Sequence, residues 1–322
     1  MSTRARTFLA RVAVLAALYV IVQVLVVNGV VTSYHMATLS TIGINIILAV
    51  SLNLITGFTG QFSLGHAGFM AIGAYSCAVV TMQYPTIWGF LGGVLLGAVL
   101  SALVGFLVGL PTLRLRGDYL AIATLGMAEI IRILLLNFEF SNGAAGMQGI
   151  PQFVNWTWLF VFTVGTVVVI ANFINSSFGR ACISVREDEI AAESIGVNST
   201  RAKTLAFVIG AFFGGVGGAL YASTFYFIKP DLFGFLKSID ILVIVVLGGL
   251  GSISGSVIAA VVLVLVSTAL QGFPEVRMII YALVLVVLMV FRPQGLMGSR
   301  ELSLGMFRRL GRRTPPTEPK AA

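Results

Sequence analysis

The sequence predicts an all-α polytopic membrane protein, a helical bundle of about ten transmembrane spans. Of the 322 residues, 58% are hydrophobic and only 10% are charged, and the mean hydropathy is +1.01. A soluble domain carries about 25% charged residues, so this chain has too few to cover a water-facing surface. Its apolar runs are continuous over about 20 residues, which suits helices, whereas the strands of a membrane barrel alternate apolar and polar residues.

Ten apolar runs are predicted to cross the membrane. Glycines interrupt the third run and shorten the eighth, so a count of eight or nine spans is the alternative; an odd count would place one terminus on the opposite side. The runs lie at roughly residues 10–30, 36–56, 62–83, 88–110, 119–138, 156–175, 204–226, 238–250, 255–271 and 276–292.

Basic residues follow these spans asymmetrically. Most of the 20 Lys and Arg residues come before span one or after spans four, six and ten. Only Lys229, Lys237 and Arg277 fall on the other side. The positive-inside rule therefore predicts that both termini are cytoplasmic. The net charge of +8 reflects this membrane topology, and no nucleic-acid partner is expected.

The chain is divided into three segments on this basis. Residues 1–9 are predicted to be a cytoplasmic N-terminus, and residues 10–292 a transmembrane domain with a cytoplasmic loop at 176–203. Residues 293–322 are basic and proline-rich, and are predicted to form a disordered cytoplasmic tail.

Two glycine-rich stretches lie within the apolar regions: GFTGQFSLGHAG at 57–68 and GGLGSISG at 248–255. Glycine permits a helix to break or two helices to pack closely, and a broken backbone in a membrane must face protein or water. The first stretch is therefore expected to face the bundle interior or a cavity. Its polar side chains either line a pathway or serve as interhelical hydrogen-bonding groups. The pathway or pivot candidates are Gly57, Gly60, Gln61, Ser63, Gly65, His66, Gly248, Gly249, Gly251 and Gly255.

The two stretches also resemble each other. Gly57, Gly60 and Ser63 align with Gly248, Gly251 and Ser254, and each set follows one apolar span and opens another. Transporters often contain internal repeats with glycine-interrupted segments at matching positions. An internal repeat is therefore possible.

The loop GRACISVREDEIAAESIGVNSTRAKTLAF, residues 179–207, is predicted to contain a short helix over residues 185–195. Ser184 and Glu187 have the spacing of a capping box, acidic residues occupy the first turn, and Gly196 takes the C′ position. A helix this short is not stable alone in water, so it docks either on its own protein or in a groove of a partner.

This loop resembles the permease subunits of branched-chain amino acid ABC importers, in particular the M type. The segments SLNLITGFTGQFSLGHAGFMAIGAY, LRLRGDYLAIATLGMAEIIR, ILVIVVLGGLGSISGSVIAA and FRPQGLMG agree with the same family, in the same order. The resemblance covers about residues 51–298. The sequence differs from the family's pattern at three positions. Ser256 and Ala259 stand where the family usually has Pro and Gly, and Ser254 stands where it commonly has an aromatic residue.

The resemblance implies a subunit of an importer in the bacterial inner membrane. Its partners would be a second, homologous permease, two ABC ATPases and a periplasmic binding protein. The two glycine-rich stretches would be the family's motifs. The ATPase-coupling helix would comprise Arg186, Glu187, Asp188, Glu189, Ile190, Glu193 and Gly196.

The energy source is expected to lie outside this chain. The dipeptide Gly-Lys does not occur, so the chain has no P-loop to hold ATP; ATP and Mg²⁺ would bind to the ATPase subunits, and the chain itself needs no cofactor. No second His or Cys stands at ligand spacing from His66, so no metal is expected. Two His and two Cys residues also supply no nucleophile with a base, so the chain is not expected to be an enzyme.

Glu129 and Arg132 stand three residues apart in the fifth span and share a helix face. They are predicted to form an intramembrane ion pair; contact with a zwitterionic substrate is the alternative.

Two other functions stay open at this point: a permease for urea or short amides within the same family, and an ion-coupled secondary transporter.

Overall fold

The computed structural model describes residues 3–29, 31–113, 115 and 117–272, together with the isolated positions 283, 286, 295, 297 and 298. Apart from these positions, the predicted tenth span and the C-terminal tail lie outside the described residues. So do Arg114, Arg116 and Arg277.

The described part of the chain forms eleven α-helices and one two-stranded antiparallel sheet. The strands are β1 (Met147–Gln148) and β2 (Phe227–Ile228). A π-helical turn, Leu54–Phe58, extends α2 without a break. The helices are α1 (Thr3–Val27), α2 (Ser33–Asn53), α3 (His66–Gln83), α4 (Ile87–Thr112), α5 (Asp118–Asn137), α6 (Trp156–Asn175), α7 (Ser177–Glu187), α8 (Glu189–Ser194), α9 (Ser199–Phe225), α10 (Phe235–Gly248) and α11 (Ile253–Ala269).

The prediction of an all-α membrane protein is confirmed. Among the described residues, α2 with its π-helical turn, α4, α5, α6 and α9 are long and apolar enough to cross a membrane. Each of the first nine predicted spans contains a helix, although the boundaries differ. In the third predicted span, helix α3 begins at His66 instead of residue 62. In the eighth predicted span, helix α10 covers residues 235–248 instead of 238–250. The number of spans, about ten, stays a prediction.

Helices α3, α4 and α9 form the most closely packed part of the bundle. A Cβ atom added to Gly73 would lie 2.0 Å from the carbonyl oxygen of Gly215, and one added to Gly97 would lie 2.9 Å from that of Gly73. The hydroxyl of Ser101 donates a hydrogen bond to the carbonyl of Phe69 over 3.0 Å. Small residues allow backbones to approach this closely, which is how helices associate where lipid offers no hydrophobic driving force.

The loop between α6 and α9 corrects one prediction. A single helix over 185–195 is expected from the sequence, but α7 ends at Glu187 and α8 begins at Glu189. Asp188 between them is extended (φ −157°, ψ 111°), and its carboxylate accepts a hydrogen bond from the backbone N–H of Ala191 over 3.0 Å. Asp188 is thus the N-cap, and the predicted capping box at Ser184 is wrong.

Gly196 ends α8 at the predicted C′ position. Its φ of +88° is in the left-handed region that glycine tolerates. Its N–H donates to the carbonyl of Glu193, and the N–H of Val197 donates to that of Ala192, each over 3.0 Å. These two bonds make a Schellman motif, which satisfies the last carbonyls of the short helix.

Candidate functional site

The two glycine-rich stretches meet around the side chain of Asn53, which is fully buried at the end of α2. Its Nδ2 donates to the carbonyl of Ser252 over 2.9 Å and to Oγ of Ser256 over 2.8 Å. Its Oδ1 accepts from the N–H of Gly251 over 2.9 Å. One amide therefore satisfies two backbone groups of the second stretch and the hydroxyl of Ser256, which directly follows it. Sequence reasoning missed Asn53, although an amide inside an apolar span is a visible signal.

Gly57 lies one helical turn beyond Asn53, where no side chain fits. A Cβ atom there would lie 1.8 Å from Oδ1 of Asn53 and 2.3 Å from the backbone nitrogen of Gly251. Gly251 itself has a φ of +83°, which a residue with a Cβ atom rarely adopts. The direct contact between the two stretches therefore requires both glycines.

The second stretch also brings α10 and α11 into backbone contact. A Cβ atom added to Gly255 would lie 2.1 Å from the carbonyl oxygen of Gly248. Ser256, one of the departures from the family pattern, is buried here and donates from Oγ to the carbonyl of Ser252 over 3.1 Å, while it accepts from Asn53. The serine thus serves as a hydrogen-bonding partner that a proline could not provide.

Arg186, near the end of α7, inserts between the two stretches. Its Nη1 donates to the carbonyl of Gly57 over 2.8 Å. A Cβ atom on Gly60 would lie 3.0 Å from Cγ of Arg186, and one on Gly251 would lie 2.8 Å from Nη1. The guanidinium also pairs with Glu187. We call the meeting point of Asn53, Gly57, Arg186, Gly251 and Ser256 the glycine junction.

A second connection joins the loop to the first stretch through α9. Nζ of Lys203 lies 2.6 Å from Oε1 of Glu189, in an ion pair that is partly buried. The backbone carbonyl of Lys203 accepts a hydrogen bond from Nε2 of Gln61 over 3.1 Å. Residues of α7 and α8 are therefore attached to the first glycine-rich stretch at two places.

Two isoleucines at α8, one inside the helix and one at its C-cap, are exposed in the part of the chain that the structure describes. Ile190 is 74% exposed and Ile195 is 76% exposed. A contiguous patch of exposed apolar residues marks an interaction site, so contact of these two isoleucines with a partner stays a prediction. Glu193, on the same helix, accepts a hydrogen bond from the hydroxyl of Ser199, which helps to fix α8 against the start of α9.

His66 and Ser63 are both buried and form hydrogen bonds within the bundle. Nε2 of His66 lies 2.8 Å from Oγ of Ser51, which donates to the carbonyl of Leu48, so the ring is the donor to the serine. Ser63 accepts from the N–H of Gly65 over 3.4 Å. The pathway role of these residues stays a prediction.

Glu129 and Arg132 form an ion pair in which Oε2 and Nε lie 2.7 Å apart. Nη1 of Arg132 also lies 3.2 Å from Oδ1 of Asp231, in the 3₁₀ turn Pro230–Phe233. The arginine thus fastens the last part of α5 to the segment before α10. Contact of this pair with a substrate stays a hypothesis.

Within the described residues, no group of three or more His, Cys, Asp or Glu side chains is placed to hold a metal ion. The expectation that the chain carries no resident metal or cofactor stays a prediction.

Cys182 in α7 is buried against the carbonyl of Ala202. This burial raises the pKa of the Cys182 thiol above its ordinary value.

Comparison with known proteins adds independent information. Residues 34–290 match the family described as "Branched-chain amino acid transport system / permease component". The chain is 38% identical over 300 residues to the high-affinity branched-chain amino acid transport system permease protein LivM of Salmonella typhimurium, a match that covers 82% of this chain and 70% of that protein. It is 25% identical over 288 residues to the permease protein LivH of the same organism, with coverage of 80% and 92%. No solved structure matches the chain.

Proposed function

Because the chain belongs to the family of branched-chain amino acid transport system permease components, we propose that it is a membrane-spanning subunit of an ATP-binding-cassette importer for these amino acids. The chain is a multi-pass membrane protein and a transport subunit, not an enzyme. ATP and Mg²⁺ bind to partner subunits in this proposal.

The proposed complex has four kinds of component. This chain pairs with a second, related permease, as its similarity to both LivM and LivH proteins suggests. Two ABC ATPases bind on the cytoplasmic side, and a periplasmic binding protein delivers the amino acid. The complex lies in the bacterial inner membrane, with both termini of this chain in the cytoplasm, as the distribution of basic residues predicts.

The observation that supports this mechanism most strongly is the contact of Arg186 with both glycine-rich stretches. In the proposal, α7 and α8 rest on an ATPase through Ile190 and Ile195. ATP-driven closure of the ATPases moves these helices, and Arg186 transmits the movement to Gly57 and Gly251. The two stretches then act as pivots, in a bundle of about ten spans with an internal repeat.

The test is co-purification followed by reconstitution. A tagged chain, solubilised in mild detergent, should bring with it a second permease and two nucleotide-binding subunits. In the assembled complex, Ile190→Asp should abolish substrate-stimulated ATP hydrolysis because it places a charge in an apolar contact. Ile190→Leu, the matched control, should retain it.

Two results would overturn the proposal. One is normal stimulated hydrolysis in the Ile190→Asp variant. The other is uptake that collapses with the ion gradient and continues without any ATPase, which is the behaviour of a secondary transporter.

A further inference from the structure

The three helices that meet at the glycine junction separate toward their other ends. There, α2, α10 and α11 line a cavity of about 450 Å³, within the range of small-molecule sites. We call it the polar chamber, defined by Thr38, Asn45, Lys237, Asp240, Ile244 and Ser267. None of the residues in the predicted pathway set lines it.

The chamber presents both signs of charge. Nζ of Lys237 lies 3.5 Å from Oδ1 of Asn45 on α2. Asp240 follows Lys237 by three residues and lies on the same face of α10. A charged side chain within a membrane span is costly and marks a solute or ion pathway when it faces a water-filled cavity. Lys237 and Asp240 also attract each other, so a ligand that binds to both of them must carry both signs of charge.

Hydroxyl groups flank these charges. Thr38 and Thr41 line the chamber from α2, and Ser267 and Thr268 line it from α11. Each hydroxyl can both donate and accept a hydrogen bond, so the polar wall accommodates an ammonium as well as a carboxylate group.

The part of the chamber nearer the glycine junction is aliphatic. Ile244 lies one helical turn beyond Asp240, and Leu263 and Val264 face it from α11. The chamber therefore has a charged wall and an aliphatic wall about one turn apart, which is 5.4 Å along a helix. An α-amino acid with a branched aliphatic side chain has the same division.

We propose that the polar chamber binds the transported solute as a zwitterion. Asp240 faces the ammonium group, Lys237 faces the carboxylate, and the side chain packs against Ile244 and Leu263. A small neutral amide offers no charge to either residue, so the chamber discriminates against it. This inference rests on the proposed import function and adds a solute site within this chain.

The first test measures uptake in proteoliposomes that contain the assembled complex, with saturating binding protein and L-leucine. Lys237→Met and Asp240→Asn should each lower the uptake rate about tenfold, as expected when a hydrogen bond to a charged group is lost. Lys229→Met is the matched control, because Lys229 is a cation in the segment before α10 but does not line the chamber. Uptake by both chamber variants at the control rate would overturn the proposal.

The second test needs no ATPase and stays informative if a chamber variant assembles poorly. Both native cysteines, Cys77 and Cys182, are buried, so a cysteine introduced as Thr38→Cys can be labelled selectively by a charged methanethiosulfonate. L-leucine should slow this labelling several-fold, and acetamide should not. Ser40→Cys, on the same helix but buried, should resist labelling throughout.

The outcomes separate the two proposals. The chamber site is overturned if L-leucine does not slow labelling of the cysteine introduced as Thr38→Cys, or if acetamide slows it equally. This holds even in a complex that imports leucine. Protection by L-leucine in a chain that binds no ATPase supports the chamber and overturns the proposed import mechanism.

Discussion

The two ends of the group formed by α2, α10 and α11 differ sharply although they are built from the same helices. At the glycine junction the backbones touch: a Cβ atom on Gly57 would lie 2.3 Å from the nitrogen of Gly251. At the polar chamber the same helices enclose about 450 Å³. Glycines allow the backbones to touch at one end, and polar and aliphatic side chains line the cavity at the other. The described structure is therefore closed on the side of Arg186 and open on the opposite side.

The comparison also shows where movement of the loop would act. The closed end is attached to α7 and α8 through Arg186 and through the Glu189–Lys203 ion pair. The chamber residues Lys237 and Asp240 lie near the opposite end of α10 from Gly248. Control by a partner on the loop would thus open or close the junction first, and the chamber would respond through the helices that the two ends share.

The largest effect is expected from filling the closed end. Gly57→Ala places a methyl group 1.8 Å from Oδ1 of Asn53, and the overpacking should lower the free energy of unfolding by about 3 kcal/mol or more. Thermal melting of the purified protein in detergent measures this. The matched control is Gly165→Ala in α6, where nothing lies within 4 Å of the added atom; it should be neutral or stabilising because alanine favours a helix. Equal melting temperatures for the two variants would contradict the close contact.

The next effect comes from the amide that joins the two glycine-rich stretches. Asn53→Ala leaves the N–H of Gly251 buried without its acceptor and should cost about 2 kcal/mol. Asn175→Ala is the control, because Asn175 is exposed and donates only to Ala171 of its own helix. Because the glycine junction joins α2 to α11, Asn53→Ala should also increase the thiol labelling of cysteines introduced near the junction. Unchanged labelling together with unchanged stability would contradict this role of Asn53.

A smaller effect is expected from Glu189→Gln, which weakens the ion pair with Lys203. The pair is partly shielded from solvent, so the loss should be about 1 kcal/mol and should shrink at high salt. Denaturant melts at two salt concentrations measure it. Glu139→Gln, at an exposed position in the loop after α5, should have no comparable effect. A loss that does not depend on salt would contradict an ionic origin.

The smallest effect concerns the reactivity of Cys182 in α7. Because burial raises the pKa of this thiol, its thiolate, the reactive form, should be scarce at neutral pH and increase only above the pH at which an exposed cysteine ionises. Alkylation by iodoacetamide should be slow compared with an exposed cysteine introduced as Ser194→Cys, and should accelerate during transport if the closed end opens. Rapid alkylation of the resting protein would contradict the closed state.

The fold was largely predictable because apolar runs of about 20 residues can only be membrane helices. The helix split at Asp188 was not, because a capping box and a single N-cap use the same residue types, and only the extended backbone of Asp188 decides between them.

The candidate site was predictable only in part. Glycine spacing marked Gly57 and Gly251, but not their partner Asn53, whose amide pairs with residues about 200 positions away, a distance that no local pattern encodes. The chamber was missed for the same reason, since it arises where three separate helices face one another.

The most direct test of the central claim, that the loop drives the glycine junction through Arg186, is the number of leucine molecules transported per ATP hydrolysed in the reconstituted complex. Arg186→Met removes the bond to Gly57, so hydrolysis should continue while leucine transported per ATP falls about tenfold. The control is Arg180→Met on the same helix, whose side chain donates to Asn175 and not to the junction; it should keep the ratio. An unchanged ratio in the Arg186→Met complex would contradict the claim.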